Sequence, residues 1–433
     1  MTVVTLSGAT GNAVSLNYSA GSALDIARQI ANAIVTGVSD GTIMPASSGH
    51  GPPPPLPPGM KGEFIQQTTG ATFLPGGYDA AVNLGKGSIL FGSGGPDEMI
   101  LTGAASMTFF ATGGSGTVVG GDGGNRIIVP PNDAGAWLVA TGSGNDTVMA
   151  FGSGNDTIMP GGGNNIVVLG DGNDKVTLSG NDTLFAGAGN VTIDASAALK
   201  TLILGGTGAI TFVGGAGPAT ILGDSGSDTV LGGSGDLLAH GGTAGNNLMF
   251  GGAGAATLFG GGSGDILFAE GSNGQALHAG GGNETLSGVL SLGHDTLYGG
   301  TGKDQLTGGF GNDTLVAGTG SATMTGGFGQ DVFTFVKGHA GGSDVIQDFS
   351  SADTLALLGY GSGEALQALK TQDASGGNVT VTLSDHTQIT FVGLTSLSGV
   401  NVTGSYPGGG GTHGGSGEDR FDGNHFRGGG FDH

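Results

Sequence analysis

The chain has 433 residues, of which 99 are glycine, with one tryptophan and no cysteine; 34 acidic residues stand against 11 Lys and Arg, a formal charge of −23. Nucleic acid is excluded as a partner, because phosphate binding needs a basic surface, and so are disulfides and zinc–thiolate centres. Proline is too scarce for collagen, and hydrophobic residues at 37 % are too many for a disordered polymer.

No apolar run reaches membrane-spanning length. The start, MTVVTLSGATGNAVSL, has neither a basic leader nor a continuous apolar stretch, so no cleaved signal peptide is expected. Residues 1–50 form a small α+β region, with strands at Thr2–Leu6 and Ala13–Tyr18 about a turn at Gly8–Gly11. Ser22-Ala-Leu-Asp25 reads as a capping box, opening a helix whose apolar face (Leu24, Ala27, Ile30, Ala31, Ile34, Val35) runs to Gly37. That face packs on its own strands or on a partner. Residues 51–87 are a linker with lead-in strands, beginning with the polyproline II spacer GPPPPLPPG. The only G-x-S-x-G match surrounds Ser39, but a nucleophile elbow needs a strand before it and a helix after it. Here the helix comes first. No H-E-x-x-H motif occurs and the chain reads as non-catalytic.

Over 88–335 one unit recurs, G-G-x-G-x-D-x-U-x with U a large apolar residue. SLGHDTLYG, GGTGKDQLT, GGFGNDTLV, AGTGSATMT and GGFGQDVFT are contiguous, placing Asp295, Asp304, Asp313, Ala322 and Asp331 at position six. An upstream run places Asp146, Asp156, Asn165, Asp174 and Asp182 there. Glycine permits tight turns, and the last three residues suit a short strand with its middle side chain inward. Two units make an 18-residue coil, and stacked coils give an all-β, right-handed parallel β-roll solenoid.

Sixth-position carboxylates then face one another between coils. A Ca²⁺ ion, which prefers six or more hard oxygen ligands, would join two carboxylates with carbonyls of the preceding glycines. The 18-residue rule pairs Asp156 with Asp174, Asp295 with Asp313, and Asp313 with Asp331. Asp304 meets Ala322 and makes half a site; Asp146 meets Asn165. Between about 186 and 280 the sixth position is often uncharged, and Asp228 (against Asn246), Asp265 (against Asn247) and Asp97 are isolated. Two calcium-rich segments, about 141–185 and 291–335, thus bracket a calcium-poor middle.

At these repeats the chain resembles the RTX, or haemolysin-type calcium-binding, family. The resemblance implies several Ca²⁺ ions held by the sixth-position Asp residues and by backbone carbonyls of Gly152, Gly154, Gly170, Gly172, Gly309, Gly311, Gly327 and Gly329. The D-x-I-x-D-F pattern at Asp344, Ile346, Asp348 and Phe349, followed by a helix at 364–370 and a hairpin over 378–394, resembles the capping segment of RTX proteins exported by type I secretion. It implies that 336–406 caps the roll, plugs its open end and carries the export signal, with type I secretion machinery as a partner. Residues 407–433 form a glycine-rich tail. The resemblance further implies a protein secreted by a Gram-negative bacterium, folding in external calcium and serving a surface layer, filament, biofilm matrix or adhesion. Its partners are other copies, meeting head to tail through the 22–36 helix and the roll end, and the cell surface or matrix. The alternatives are the RTX portion of a toxin or hydrolase system, and a cell-surface ligand-binding module.

Overall fold

A computed structural model describes residues 2–7, 13–44, 53, 55–67, 69–103 and 106–404. The expected turn at 8–11, part of the proline spacer and the tail over 407–433 lie outside the described residues. From Lys61 onward the chain winds as a parallel β-solenoid, each coil giving one strand to each of two facing sheets. Sheet I begins with Lys61–Gln66, Ala80–Asn83 and Glu98–Thr102 and runs to Lys303–Phe310, Ser321–Phe328 and Ser343–Ile346. Sheet II begins with Ala71–Phe73, Ser88–Phe91 and Met107–Phe110 and runs to Val332–Val336, Thr354–Leu358 and Asn401–Thr403. Parallel stacking thus extends beyond 88–335 at both ends. The expected all-β solenoid is present, with a small helical element at each end.

The core is the ladder of eighth-position side chains. In sheet I it includes Val176, Leu286 and Leu306, and in sheet II Val167, Leu297 and Leu315, all fully buried. One medium aliphatic per strand fills the space between the sheets, so bulky residues are unnecessary. Trp137 enters from the sixth position. It is buried, its ring 5.5 Å from that of Phe109, and its indole N–H donates to Asp133 at 3.0 Å.

Strands β1 (Thr2–Ser7) and β2 (Ala13–Tyr18) form an antiparallel hairpin, followed by helix α1 (Ser22–Asp40). Two expectations for α1 fail. Its N-cap is Gly21 without a side-chain capping bond, and the helix passes Gly37 to end at Gly41, which has φ 79°. Gly37 is there for contact: a Cβ would stand 2.6 Å from Ile43 Cδ1.

The apolar face of α1 packs on the hairpin and on the outside of sheet I, where Ile65, Val82, Leu101, Val119 and Ala140 form an outward apolar ladder. Ser19 fastens this unit to the roll by donating its amide (3.0 Å) and its hydroxyl (2.8 Å) to Asp122. The helix face is therefore core, and the expected role of 22–36 in contacting other copies is withdrawn. Ser39 lies in the last turn of α1, with no strand-to-helix turn about it.

At the far end, helix α2 (Gly361–Lys370) precedes an antiparallel hairpin of Asn378–Thr382 and Gln388–Phe391, as the alternation implied. The hairpin joins sheet I through Ser343–Ile346. A third strand, Asp373–Ser375, pairs with its outer edge. Phe349 seals the core, 5.6 Å from the Phe333 ring and 5.2 Å from the Phe391 ring.

Replacing Ile34, 1 % exposed in the helix–roll interface, by Ala costs about 2–5 kcal/mol. Denaturant unfolding should show that loss in the N-terminal unit, and calorimetric calcium titration should show unchanged stoichiometry in the roll.

Candidate metal centre

Strand register determines which sixth-position groups meet. In sheet I the sequence along the stack is Asp79, Glu98, Gly116, Trp137, Asp156, Asp174, Val191, Ile210, Asp228, Asn247, Asp265, Glu284, Asp304, Ala322 and Asp344. In sheet II it is Asn125, Asp146, Asn165, Asp182, Thr201, Ala219, Leu237, Ala256, Gln275, Asp295, Asp313, Asp331 and Asp353.

One hydrogen bond recurs down both columns. A carboxylate oxygen accepts the backbone N–H of the sixth residue one coil earlier. Asp174 takes the amide of Asp156 at 2.8 Å, Asp313 that of Asp295 at 2.8 Å, and Asp331 that of Asp313 at 2.8 Å. Trp137 donates its amide to Asp156 at 2.7 Å, and Ala322 donates to Asp344 at 2.7 Å. The carboxylate is thereby fixed at one oxygen and points its other oxygen between the coils.

Those second oxygens are the decisive feature. Oδ2 of Asp146, Asp228, Asp265, Asp295, Asp313 and Asp344, Oε2 of Glu98 and both carboxylate oxygens of Glu284 are buried without a hydrogen-bond partner. An orphaned buried acceptor is costly, and an orphaned charge more so. First-position glycines leave the room. A Cβ on Gly260 would stand 2.7 Å from Oδ2 of Asp265, and one on Gly308 would stand 2.5 Å from Oδ2 of Asp313. Among the described residues no three acidic or histidine side chains converge on one point, so a cation here draws further ligands from the backbone. The donor set is all oxygen and anionic, which suits a hard divalent ion and fits Ca²⁺.

The glycines expected to supply carbonyls lie in register. A Cβ on Gly170 would strike the carbonyl of Gly152, on Gly172 that of Gly154, on Gly327 that of Gly309 and on Gly329 that of Gly311. Successive turns therefore stack closely enough that a side chain at these positions is excluded.

The structure brings together the expected pairs Asp156/Asp174, Asp295/Asp313 and Asp313/Asp331, and also Asp146 with Asn165. Asp182 differs, because both its oxygens are taken, by the Asn165 side-chain amide at 2.8 Å and by the Gly180 N–H at 3.0 Å. Three expectations need correction. Asp97 is exposed in a left-handed conformation (φ 60°), and Glu98 holds the inward position. Asp228 faces Asn247, because exposed Asn246 (φ 56°) is extruded into the turn. Asp304 is not a half site, because Glu284 stands on its other side and donates its amide to it at 3.1 Å.

Sequence spacing missed Glu98, Glu284, Asp344 and Asp353. The last accepts the Asp331 N–H at 2.9 Å. Their signal is an acidic residue directly before a strand triplet whose middle residue is a core aliphatic (Ile100, Leu286, Ile346, Leu355), at separations of 19 to 22 rather than 18. The middle is also not uniformly poor in carboxylates. Sheet II has none from Thr201 to Gln275, while sheet I keeps Asp228, Asp265 and Glu284.

Burial pushes the carboxyls of Asp156, Asp313 and Asp344 up to about 7 and those of Asp146 and Asp331 up to about 6; neighbouring carboxylates add to the rise. Glu284 is raised to about 8 by burial and by Asp304 beside it. A group raised on folding stabilises the fold fully below its unfolded pKa, and that contribution is lost as pH rises through its folded value. In chelator the protein should therefore be more stable at pH 4 than at pH 8, with the loss spread between about 4 and 8. Added calcium should remove most of that slope. Thermal melts across pH with and without calcium test both statements, and a chelated protein that gains stability toward pH 8 contradicts them.

The model of the RTX calcium-binding nonapeptide repeat (4 copies) matches residues 140–176, 176–198, 204–236, 241–275, 278–315, 289–324 and 310–334. No curated protein sequence matches the chain significantly. The coils before 140 share the parallel stacking but lie outside the matched span. The stretch from 140 to 334 therefore carries RTX calcium-binding repeats.

Proposed function

We propose that the chain is a non-catalytic structural protein, exported by type I secretion without calcium and folded outside the cell by millimolar Ca²⁺. The observation that carries this reading is the set of buried carboxylate oxygens without partners, repeated along two columns. Without a divalent ion they stand as unpaired buried charge, so the folded coil is penalised wherever calcium is scarce. With calcium the same oxygens become ligands, and metal binding becomes folding free energy. An export-competent unfolded chain and a stable external fold follow from one set of residues.

A role in a surface layer, filament, biofilm matrix or adhesion is supported by the shape of the molecule. The solenoid has two ends. At one, Ala71–Phe73 of sheet II pairs only with Ser88–Phe91 among the described residues, and Phe73 is 65 % exposed. At the other, Asn401–Thr403 pairs only with Thr354–Leu358 among the described residues. Both are parallel edge strands, the kind that accept another strand. Copies meeting end to end would continue sheet II, and a heterologous contact of this kind grows open fibres.

Trp137, the one tryptophan in the chain, reports folding directly, since its amide is held by Asp156. Calcium titration of chelated protein should shift its emission to the blue in step with the growth of β signal in circular dichroism. Asp313→Ala removes a carboxylate shared by two pairs and should raise the calcium midpoint by several-fold. A fully folded protein in chelator at pH 7.5 would overturn the calcium-driven part of the proposal. Electron microscopy in millimolar calcium checks the assembly part, which fails if only single particles are seen.

A further inference from the structure

The outward face of sheet II carries an apolar ladder unrelated to the metal columns. Ninth-position residues, in register from coil to coil, are Phe73, Phe91 and Phe110, then Ile128, Met149 and Val168, then Phe185, then Leu204 and Leu222, then His240, Phe259, His278 and Tyr298. None is buried; Phe185 is 40 % and Leu222 37 % exposed. The flanking seventh-position row, from Ala71 through Ile89, Thr108 and onward to Thr296, holds one charge, that of Arg126. A protein with net charge −23 thus keeps one long face almost free of charge.

The same fold shows what happens to such a ladder elsewhere. On sheet I the outward row Ile65, Val82, Leu101, Val119 and Ala140 is covered by α1 and its hairpin. On sheet II no described element covers the row. Twelve steps of about 4.8 Å make it about 58 Å long, and at about 10 Å wide it offers about 600 Å² per copy. Two such faces together bury about 1,200 Å², the lower bound of a stable specific interface.

We infer that this face pairs with the same face of a second copy about a two-fold axis through Phe185. The order of residues is what fits a second copy. An antiparallel face-to-face arrangement sets Phe73 against Tyr298, Phe91 against His278 and Phe110 against Phe259. Nearer the axis Ile128 meets His240, Met149 meets Leu222 and Val168 meets Leu204, with Phe185 meeting its own counterpart. Aromatic ends meet aromatic ends and the aliphatic middle meets itself, so the row is close to self-complementary, as an isologous contact requires. The ring planes are nearly parallel along the row, 7° between Phe73 and Phe91 and 3° between His278 and Tyr298, so the ladder is straight where it is aromatic. Because the rings face one another along the row, at 4.1–5.0 Å between centroids, they turn edges rather than faces outward. That disfavours a sugar, which stacks on ring faces, and favours another apolar ladder. This contact is lateral and separate from any end-to-end contact.

The absence of native cysteine makes the test direct. In calcium and mild oxidant, full-length Phe185→Cys should cross-link to itself. Phe73→Cys should cross-link to Tyr298→Cys when the two are mixed, and neither should do so alone. Sedimentation should show wild type as a dimer. Phe185→Lys sets two ammonium groups on the axis and should weaken dimerisation at least tenfold, and mixing it with Phe185→Glu should restore the dimer. Circular dichroism and calcium stoichiometry of each variant confirm that the roll is intact. A monomeric wild type overturns the inference, as does a dimer whose Phe185→Cys variant stays uncross-linked. Phosphatidylcholine vesicles that bind a monomeric wild type would assign the face to lipid instead. End-to-end fibres that persist in Phe185→Lys would leave the head-to-tail reading intact, so the two contacts stand or fall separately.

Discussion

Wherever its columns are acidic, the fold rests on one repeated hydrogen bond: a sixth-position carboxylate accepts the backbone N–H of its counterpart one coil earlier. That bond locks register, because a slip of one residue would move every eighth-position aliphatic out of the core. It also spends only one of the two oxygens. The other is left in a buried gap opened by a first-position glycine, where it destabilises the coil unless a cation or a proton arrives. Stability and ligand requirement are thus two consequences of the same contact, and neither can be altered alone.

Much of this was legible in the sequence, for a definite reason. Where units follow each other at nine residues, spacing alone decides which side chains meet, so Asp156/Asp174 and the series Asp295, Asp313 and Asp331 could be paired without coordinates. Where turns carry extra residues the rule fails while the hydrogen bond persists. Glu284 sits 19 residues after Asp265 and 20 before Asp304, and a register shift in sheet I between Phe268 and Glu270 takes up the surplus. Asp344 lies 22 residues after Ala322 and still accepts its amide. The strand triplet, not the separation, is the conserved geometric unit of the solenoid, so an acidic residue just before the triplet is the better sign of a column member.

The N-terminal region was legible in kind but not in placement. Its strands and helix follow from alternation and from helical periodicity. What covers the helix does not, because the ladder Ile65, Val82, Leu101, Val119 and Ala140 is spread over five coils at uneven separations. Each member reads locally as an ordinary strand residue. Only stacking shows that they share an outer face, and that the helix is long enough to lie across several coils of it.

The two outer faces then differ for a physical reason. A solenoid strand three or four residues long has one inward side chain and two outward ones, so an apolar ninth position always yields a row of apolar surface as long as the stack. Short rows can remain in water at little cost. Rows of many coils cannot be broken into scattered residues, because register aligns them whatever the turns between them do. Such a row has three outcomes: polar substitution, cover from the same chain, or cover from another. Sheet I takes the first with Thr177 and Asp194 and the second at its N-terminal end, leaving a shorter uncovered run of Val213, Leu231, Phe250 and Phe268. Sheet II keeps this row apolar or aromatic from Phe73 to Tyr298, with the imidazoles of His240 and His278 and the Tyr298 hydroxyl its only polar groups, and no described element covers it. The regularity that makes the calcium columns possible therefore also concentrates apolar surface, and assembly becomes a consequence of repeat architecture rather than a function added to it.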